Sequence, residues 1–320
     1  MTSEHRDQTP ARLSVILCSH NPRRDYLDRV LEGLRHQTLP VASWELLLVD
    51  SASVPPLVGR VNLDWHPGHR FLRNGLPGLT LARLEGIREA AADLLVFVDD
   101  DNVLSPDYLS TALRIGSTHP FLGVWGGSVI PVYETPPPSW LNEFEHVLSC
   151  GINTRDSWSN VPSLSDPWVI GAGMVIRKPV ALAWAASVGS SPGRMSLGRR
   201  GNSLMGAEDL DIVLTACEMG QGRGAFKDLT LDHLIPPVRC TEEYIERLLR
   251  MNTASMEILK KARGLPTAPP PGEGSLGSFL RNLLNGMRRL RMGRIARMKD
   301  RAHRDGLALA RGTMSSTTTP

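Results

Sequence analysis

Residues 94–102 read LLVFVDDDN: five apolar residues run directly into three consecutive aspartates. An apolar run this short, with no polar residue alternating through it, is read as a strand buried on both faces. Two earlier runs have the same form, LSVILC at 13–18 and ELLLVD at 45–50. Between them, Tyr26, Leu27, Val30, Leu31 and Leu34 recur at helical spacing within residues 23–37. Phe71-Leu72 is a short third strand, and residues 79–92 form a helix with Leu84, Ile87 and Ala91 on one face. Strands that alternate with helices, each strand nearly all apolar, predict a mostly parallel sheet sandwiched by helices, an α/β fold. Its crossovers are expected to be right-handed. Ligands of such sheets bind beyond the carboxyl ends of the strands, so the polar residues that leave each strand are the first candidates for a site.

The middle of the chain changes character. Residues 122–130 are expected to be a strand, 133–168 a long ordered loop rich in Pro, Ser and Trp, 169–177 (VIGAGMVIR) a strand and 179–187 a helix. Residues 190–205, rich in Gly, Ser and Arg, are expected to be a mobile loop of the kind that closes over a ligand. Helices are expected at 207–219 and 241–262.

The chain has 320 residues, 41% hydrophobic and 22% charged, with a formal net charge of +3. That is enough apolar material for a large core and too little basic excess for a dedicated nucleic-acid binder. No apolar run reaches the ~18 residues of a membrane span, and the apolar stretch behind the polar start is shorter than the ~7–15 residues of a signal-peptide core. A cytoplasmic protein is therefore expected. Cys18, Cys150, Cys217 and Cys240 lie far apart without a CxxC pair, so they are read as buried free thiols. There is no GxxxxGK phosphate loop or HExxH motif, and Gly171-Ala172-Gly173 lacks the third glycine of a dinucleotide fingerprint.

Four constellations carry chemistry. Asp99, Asp100 and Asp101 leave one strand together, and carboxylates so close repel one another unless a counter-charge is supplied. A hard divalent cation, Mg2+ or Mn2+, is the simplest counter-charge, and such ions are commonly shared between one or two carboxylates and a substrate phosphate. The competing reading is an acidic loop that caps the following helix. Asp50 leaves another strand and is either a turn residue or an acceptor for a base or ribose of a nucleotide. In GAEDLDI at 206–212, Glu208, Asp209 and Asp211 open a helix; they either complement its dipole or supply a general base. His233, in LTLDHLIPPVR at 229–239, is either a core residue or a third ligand of a carboxylate-bound cation.

In order and spacing, LSVILCSHNPR (13–23), ELLLVDSAS (45–53), LTLARLEGIREAAADLLVFVDDDN (79–102), GAGMVIRK (171–178), GAEDLDI (206–212) and HLIPPVRCTEEYIERLL (233–249) resemble a family 2 glycosyltransferase of GT-A fold. The resemblance covers roughly residues 12–255. It implies inverting transfer of a sugar from a nucleotide-sugar donor, a UDP-sugar by preference, to a hydroxyl of a carbohydrate or lipid-linked acceptor in polysaccharide or glycoconjugate assembly. By that pattern Asp50 contacts the base and Arg83 lies near the diphosphate, with Ser19 and Asn21 among the donor-binding residues. Asp101 binds the metal and Asp100 ribose or metal, with Asp99 the alternative partner if the motif is read Asp-x-Asp. His233 completes the metal shell, Asp209 deprotonates the acceptor, and Glu208 positions it. The QxxRW motif of processive members is absent, because the last tryptophan is Trp184, which favours single additions. A sugar nucleotidyltransferase, gripping a triphosphate with Arg23 and Arg24, and a non-catalytic nucleotide-sugar-binding subunit are the rival readings.

The expected organisation is a flexible tail at 1–12 and a transferase domain at 13–262, split into a nucleotide-sugar-binding half (13–130) and an acceptor half (131–262). A Pro/Gly linker (263–274), a basic amphipathic helical extension (275–310) and a disordered tail (311–320) follow. Residues 281–304 carry nine basic side chains against one acid, Asp300. Such a helix either packs on its own domain or lies peripherally on the anionic inner face of a membrane. Trp140, Trp158 and Trp168 are either sugar-stacking platforms or packing anchors.

Overall fold

The computed structural model describes residues 11–268 and 293–316. Residues 1–10 of the expected tail (1–12), the end of the expected linker with the first part of the basic extension (269–292), and residues 317–320 lie outside the described residues.

The three diagnostic runs form the centre of one nine-stranded sheet. They are β1 (Leu13–Ser19), β2 (Trp44–Ser51) and β4 (Leu94–Asp99), joined by β3 (His69–Asn74), with α1 (Arg24–Arg35) and α2 (Leu79–Glu89) as crossovers. The chain continues through β5 (Asn102–Leu104), α3 (Tyr108–Thr118), β6 (Leu122–Tyr133), β7 (Ser157–Ser159) and β8 (Val175–Arg177). Then come α4 (Lys178–Gly189), α5 (Pro192–Met195), α6 (Glu208–Glu218), β9 (Gly222–Ile235), α7 (Glu242–Ala262) and α8 (Arg294–Ser316). The strand order is β3-β2-β1-β4-β8-β6-β9-β5, with β7 on β9. Strands β3, β2, β1, β4, β6 and β9 run one way, and β8, β5 and β7 oppose them.

Every residue of β1 and β2 is buried, as strands covered on both faces must be. Alternate side chains feed two layers, following the two-residue period of a strand. Val15, Leu17, Leu46, Leu48, Val96 and Val98 meet Leu27 and Val30 of α1 and Leu109 and Ala112 of α3. Ile16, Leu47, Val49, Leu95 and Phe97 meet Ala82 and Ile87 of α2, Trp184 of α4 and Ile212 of α6. A smaller core joins Leu197 and Leu210 to Ala254 and Ile258 of α7.

Three differences from the sequence reading bear on the site. The expected strand 169–177 is extended only at 175–177. Gly173 adopts a positive φ of 69°, and its carbonyl accepts the Tyr108 hydroxyl at 2.6 Å, so the chain turns there instead of running on. The expected mobile loop 190–205 is folded against the body: Leu197 is fully buried, and the Leu79 amide donates to the Arg199 carbonyl at 2.9 Å. Residues 311–316, expected to be part of a disordered tail, continue α8. Among the described residues no helix is long and apolar enough to cross a membrane.

Candidate active site

At the carboxyl edge of β1 and β4 opens a cleft lined by Ser19, Arg83, Asp99, Asp100, Asp101, Glu208, Asp209 and His233, with Gly171 and the 197–201 segment on its wall. Residues more than two hundred positions apart, such as Ser19 and His233, are thus neighbours, because strand ends at that edge converge.

The aspartates follow directly from β4. After Asp99 the chain turns and enters β5, which pairs antiparallel with β9 and sets Asn102 opposite His233. That register places the Asp101 carboxylate Oδ2 3.5 Å from His233 Nε2, and the Leu234 amide donates to the Asp101 carbonyl at 2.9 Å. The capping alternative fails, since β5 separates the triplet from α3 and Asp107 occupies the helix cap. Asp100 accepts the Ser19 hydroxyl at 2.6 Å. Burial and the neighbouring Asp101 charge push the Asp100 carboxyl up to about 7. Asp101 lies below its ordinary value: burial opposes this, but the positive charges of Arg239 and Arg199 beside it prevail.

The acids of α6 are not dipole ornaments. No side chain caps this helix, and each acid has a separate partner. Glu208 receives Arg83 Nη1 at 2.9 Å and the Thr80 hydroxyl, tying α6 to α2. Arg83 also approaches Asp99 at 3.5 Å; both Arg83 and Glu208 are buried. Burial works against the guanidinium charge, but Glu208 and Asp99 hold Arg83 above its ordinary value. Among the described residues Asp209 accepts only backbone amides, Leu210 at 2.8 Å and Gly171 at 3.2 Å. Burial raises its carboxyl despite those bonds and the Arg83 charge. Asp211 points away from the cleft into Trp184, Arg194 and Arg263.

Two expected donor residues stand apart. Asp50 does not line the cleft: its oxygens accept the Ser53 amide at 2.8 Å and the Leu57 amide at 3.0 Å, and Arg73 pairs with it. These partners outweigh burial and lower its carboxyl, so Asp50 organises the loop after β2. Asn21 likewise braces that loop, accepting the Val54 amide at 2.8 Å. Arg23 and Arg24, the proposed triphosphate grip of the rival reading, pair with Asp25, Glu134 and Asp28 and stay outside the cleft. Trp140, Trp158 and Trp168 do not line it either; Trp140 packs on Phe144, and Trp158 and Trp168 are half exposed on the surface.

The sequence reading assigned no role to Arg239, Arg199 or Cys150. Arg239 and Arg199 line the cleft, and Cys150 backs it. Arg239 lay inside a motif already singled out, six residues after His233, and an arginine so near a carboxylate-rich site was its only signal. Arg199 lay in the loop read as mobile.

Donor chemistry at Asp101 and His233 fits a divalent cation. A carboxylate oxygen and an imidazole nitrogen converge at 3.5 Å, and buried Asn102 Oδ1 beside them has no hydrogen-bond partner among the described residues. No group of three or more His, Cys, Asp or Glu side chains poised for a metal occurs among the described residues, so the remaining ligands would come from substrate and solvent.

Residues 14–168 match the family model of Glycosyl transferase family 2. The sheet with its two helix layers is GT-A-like. Over 109 residues the chain is 28% identical to the "Putative glycosyltransferase EpsH" of Bacillus subtilis, a stretch that is 33% of this chain and 30% of that protein. Over 112 residues it is 30% identical to the "Uncharacterized protein y4gI" of Sinorhizobium fredii, 34% of this chain and 12% of that protein. The chain thus spans less than a third of either relative. A crystal structure of S. aureus TarS superposes with a TM-score of 0.50 at 14% identity, covering 79% of this chain and 43% of that one, a likeness of fold.

Proposed function

We propose that this protein is an inverting glycosyltransferase that moves a sugar from a nucleotide-sugar donor, preferentially a UDP-sugar, to a hydroxyl of a carbohydrate or lipid-linked acceptor. The observation that carries this reading is that Asp209 shares one cleft with the aspartates 99–101 and with Arg83. A lone carboxylate and a carboxylate cluster near a fixed cation are the two halves that in-line displacement at an anomeric carbon requires.

Asp209 takes the proton of the acceptor hydroxyl as the new bond forms, and its raised affinity for protons suits a general base. Glu208, with both oxygens engaged by Thr80 and Arg83, positions Asp209 through the first turn of α6 rather than gripping the acceptor itself. Arg83 presents a permanent positive charge toward the donor phosphates. Asp101 and His233 hold Mn2+ or Mg2+, and Asp100, with Asp99 as alternative, holds ribose or shares the cation. When bound, the cation acts as a Lewis acid that offsets charge on the departing diphosphate. Residues 13–130 supply the aspartates and Arg83 of the donor side, and residues 131–262 supply the base and His233. A lipid-linked acceptor would suit peripheral attachment through the basic segment 275–310. The pairing of Arg294, Lys299 and Arg301 with Glu242, Glu143 and Glu246 leaves fewer of its charges for a lipid surface.

A thermal-shift panel of nucleotide sugars with and without Mn2+ tests the donor. One UDP-sugar should stabilise the protein, and more so with Mn2+. Asp209→Asn should keep that shift while transfer falls about 10²–10⁴-fold, the usual contribution of a general base. Loss of the shift in this variant would instead make Asp209 a structural residue.

A further inference from the structure

Arg239 closes the short turn Pro237–Cys240 and extends its side chain into the cleft. Its Nη1 lies 2.9 Å from Asp101 Oδ2 and 3.2 Å from His233 Nε2. Those two acceptors are themselves 3.5 Å apart. One guanidinium N–H group therefore sits where an ion shared by the same two atoms would sit.

The hydrogen-bond directions are consistent with that substitution. A guanidinium only donates, so His233 Nε2 accepts and the ring proton is on Nδ1. Nδ1 faces Cys150 Sγ at 3.6 Å, and the thiol in turn faces the Leu148 carbonyl at 3.6 Å. The chain Arg239 to His233 to Cys150 to Leu148 runs in one donor direction. It presents the Nε2 lone pair to the cleft, the tautomer that cation binding needs.

We propose that Arg239 is a built-in stand-in for the divalent cation: the guanidinium and the ion compete for Asp101 and His233, and the displaced guanidinium is handed to the diphosphate. The inference rests on the cation reading given above. It explains how Asp101, next to Asp100 in a partly buried turn, keeps a counter-charge when no ion is bound. The exchange is local, because Arg239 is the long, partly exposed side chain of a four-residue turn and moves by its own torsions.

Calorimetric titration of the full chain with Mn2+, alone and together with inorganic pyrophosphate, tests it. Arg239→Gln should bind Mn2+ alone about tenfold tighter or more, since a contact-distance positive charge has been removed from a partly desolvated site. The same variant should bind pyrophosphate with Mn2+ more weakly than wild type. Arg239→Lys, which keeps the charge but not the fork, should fall between, and equal melting temperatures confirm that the variants fold. Asp101→Asn should abolish Mn2+ binding in both backgrounds. If Mn2+ binding depends on Asp101 but Arg239→Gln leaves it unchanged or weaker, the stand-in is overturned and the cation site survives. If Mn2+ tightens without any loss of pyrophosphate, the handover is overturned. If no variant shows Asp101-dependent Mn2+ binding, both the stand-in and the cation site fall.

Discussion

The cleft contains two arginine–carboxylate clusters of the same chemistry and opposite character. Arg83 and Glu208 each keep only 3% of their side-chain surface exposed and tie α2 to α6. Arg239 and Asp101 keep 23% and 13%, and the arginine stands on a short turn instead of a helix. A third kind of pair lies on the outside, where Arg301 of α8 meets Glu246 of α7 with the arginine 57% exposed. Burial, not the identity of the partners, separates a fixed brace from an exchangeable contact and both from a surface pair. Removing one partner of a buried pair leaves a charge without water or counter-ion, whereas an exposed charge is simply rehydrated.

The comparison breaks most severely at Arg83. Arg83→Met should destabilise the protein by about 3–5 kcal/mol, the usual consequence of stranding one buried charge. Chemical denaturation measures it. Arg83→Met combined with Glu208→Leu should recover much of the loss, because no charge is then left stranded. A single variant as stable as wild type would mean that Glu208 is rehydrated from the cleft and that the brace is no brace.

How much of this was readable beforehand follows the same division. Strands β1, β2 and β4 were legible because a strand buried on both faces has to be apolar throughout, and their carboxyl ends pointed to the aspartates and to the β1 exit. Strands β5 and β7 were not legible: three residues such as Asn102–Leu104 are too short to show a period. Yet β5 is what brings Asp101 beside His233. The turn at Gly171–Gly173 was read as strand because its flanks are apolar; its real constraint, close packing against Arg83 and Tyr108, is a tertiary contact that no local pattern carries. Asp50 shows the converse. A strand-end acid matched a donor-binding pattern, and only the structure revealed that Ser53, Leu57 and Arg73 already occupy it. Of the three acids of α6, spacing alone could not say which faces the cleft, which the brace and which the Asp211–Arg263 pair.

Asp209, the proposed base, sharpens the contrast, since it neighbours the fixed cluster but takes no side-chain hydrogen-bond partner among the described residues. Its carboxyl is raised by burial, against the pull of the Leu210 amide and Arg83. A base acts when deprotonated, so activity should fall as pH drops through that raised value. The acid limb of kcat/KM should therefore lie above the ordinary aspartate value of about 3.9. A pH profile of transfer with the donor found by thermal shift measures it. A limb at the ordinary aspartate position would take Asp209 out of the base role.

The smallest effect is expected at α8. Its basic, amphipathic sequence left open packing on its own domain or on a membrane, and its hold on the body is apolar: Met298, Ala302 and Ala310 are buried, Met298 within the main core. The pairs of Arg301 with Glu246 and Arg294 with Glu242 lie at the rim of that contact, in solvent. Exposed pairs give up about as much in side-chain freedom and screening as they gain in attraction. Arg301→Ala should accordingly leave the denaturation curve where it is, while Met298→Ala shifts it measurably by opening a cavity. If Arg301→Ala proved the more damaging of the two, the pair with Glu246 would have to be counted with the Arg83 brace, and exposure would no longer explain the difference between the clusters.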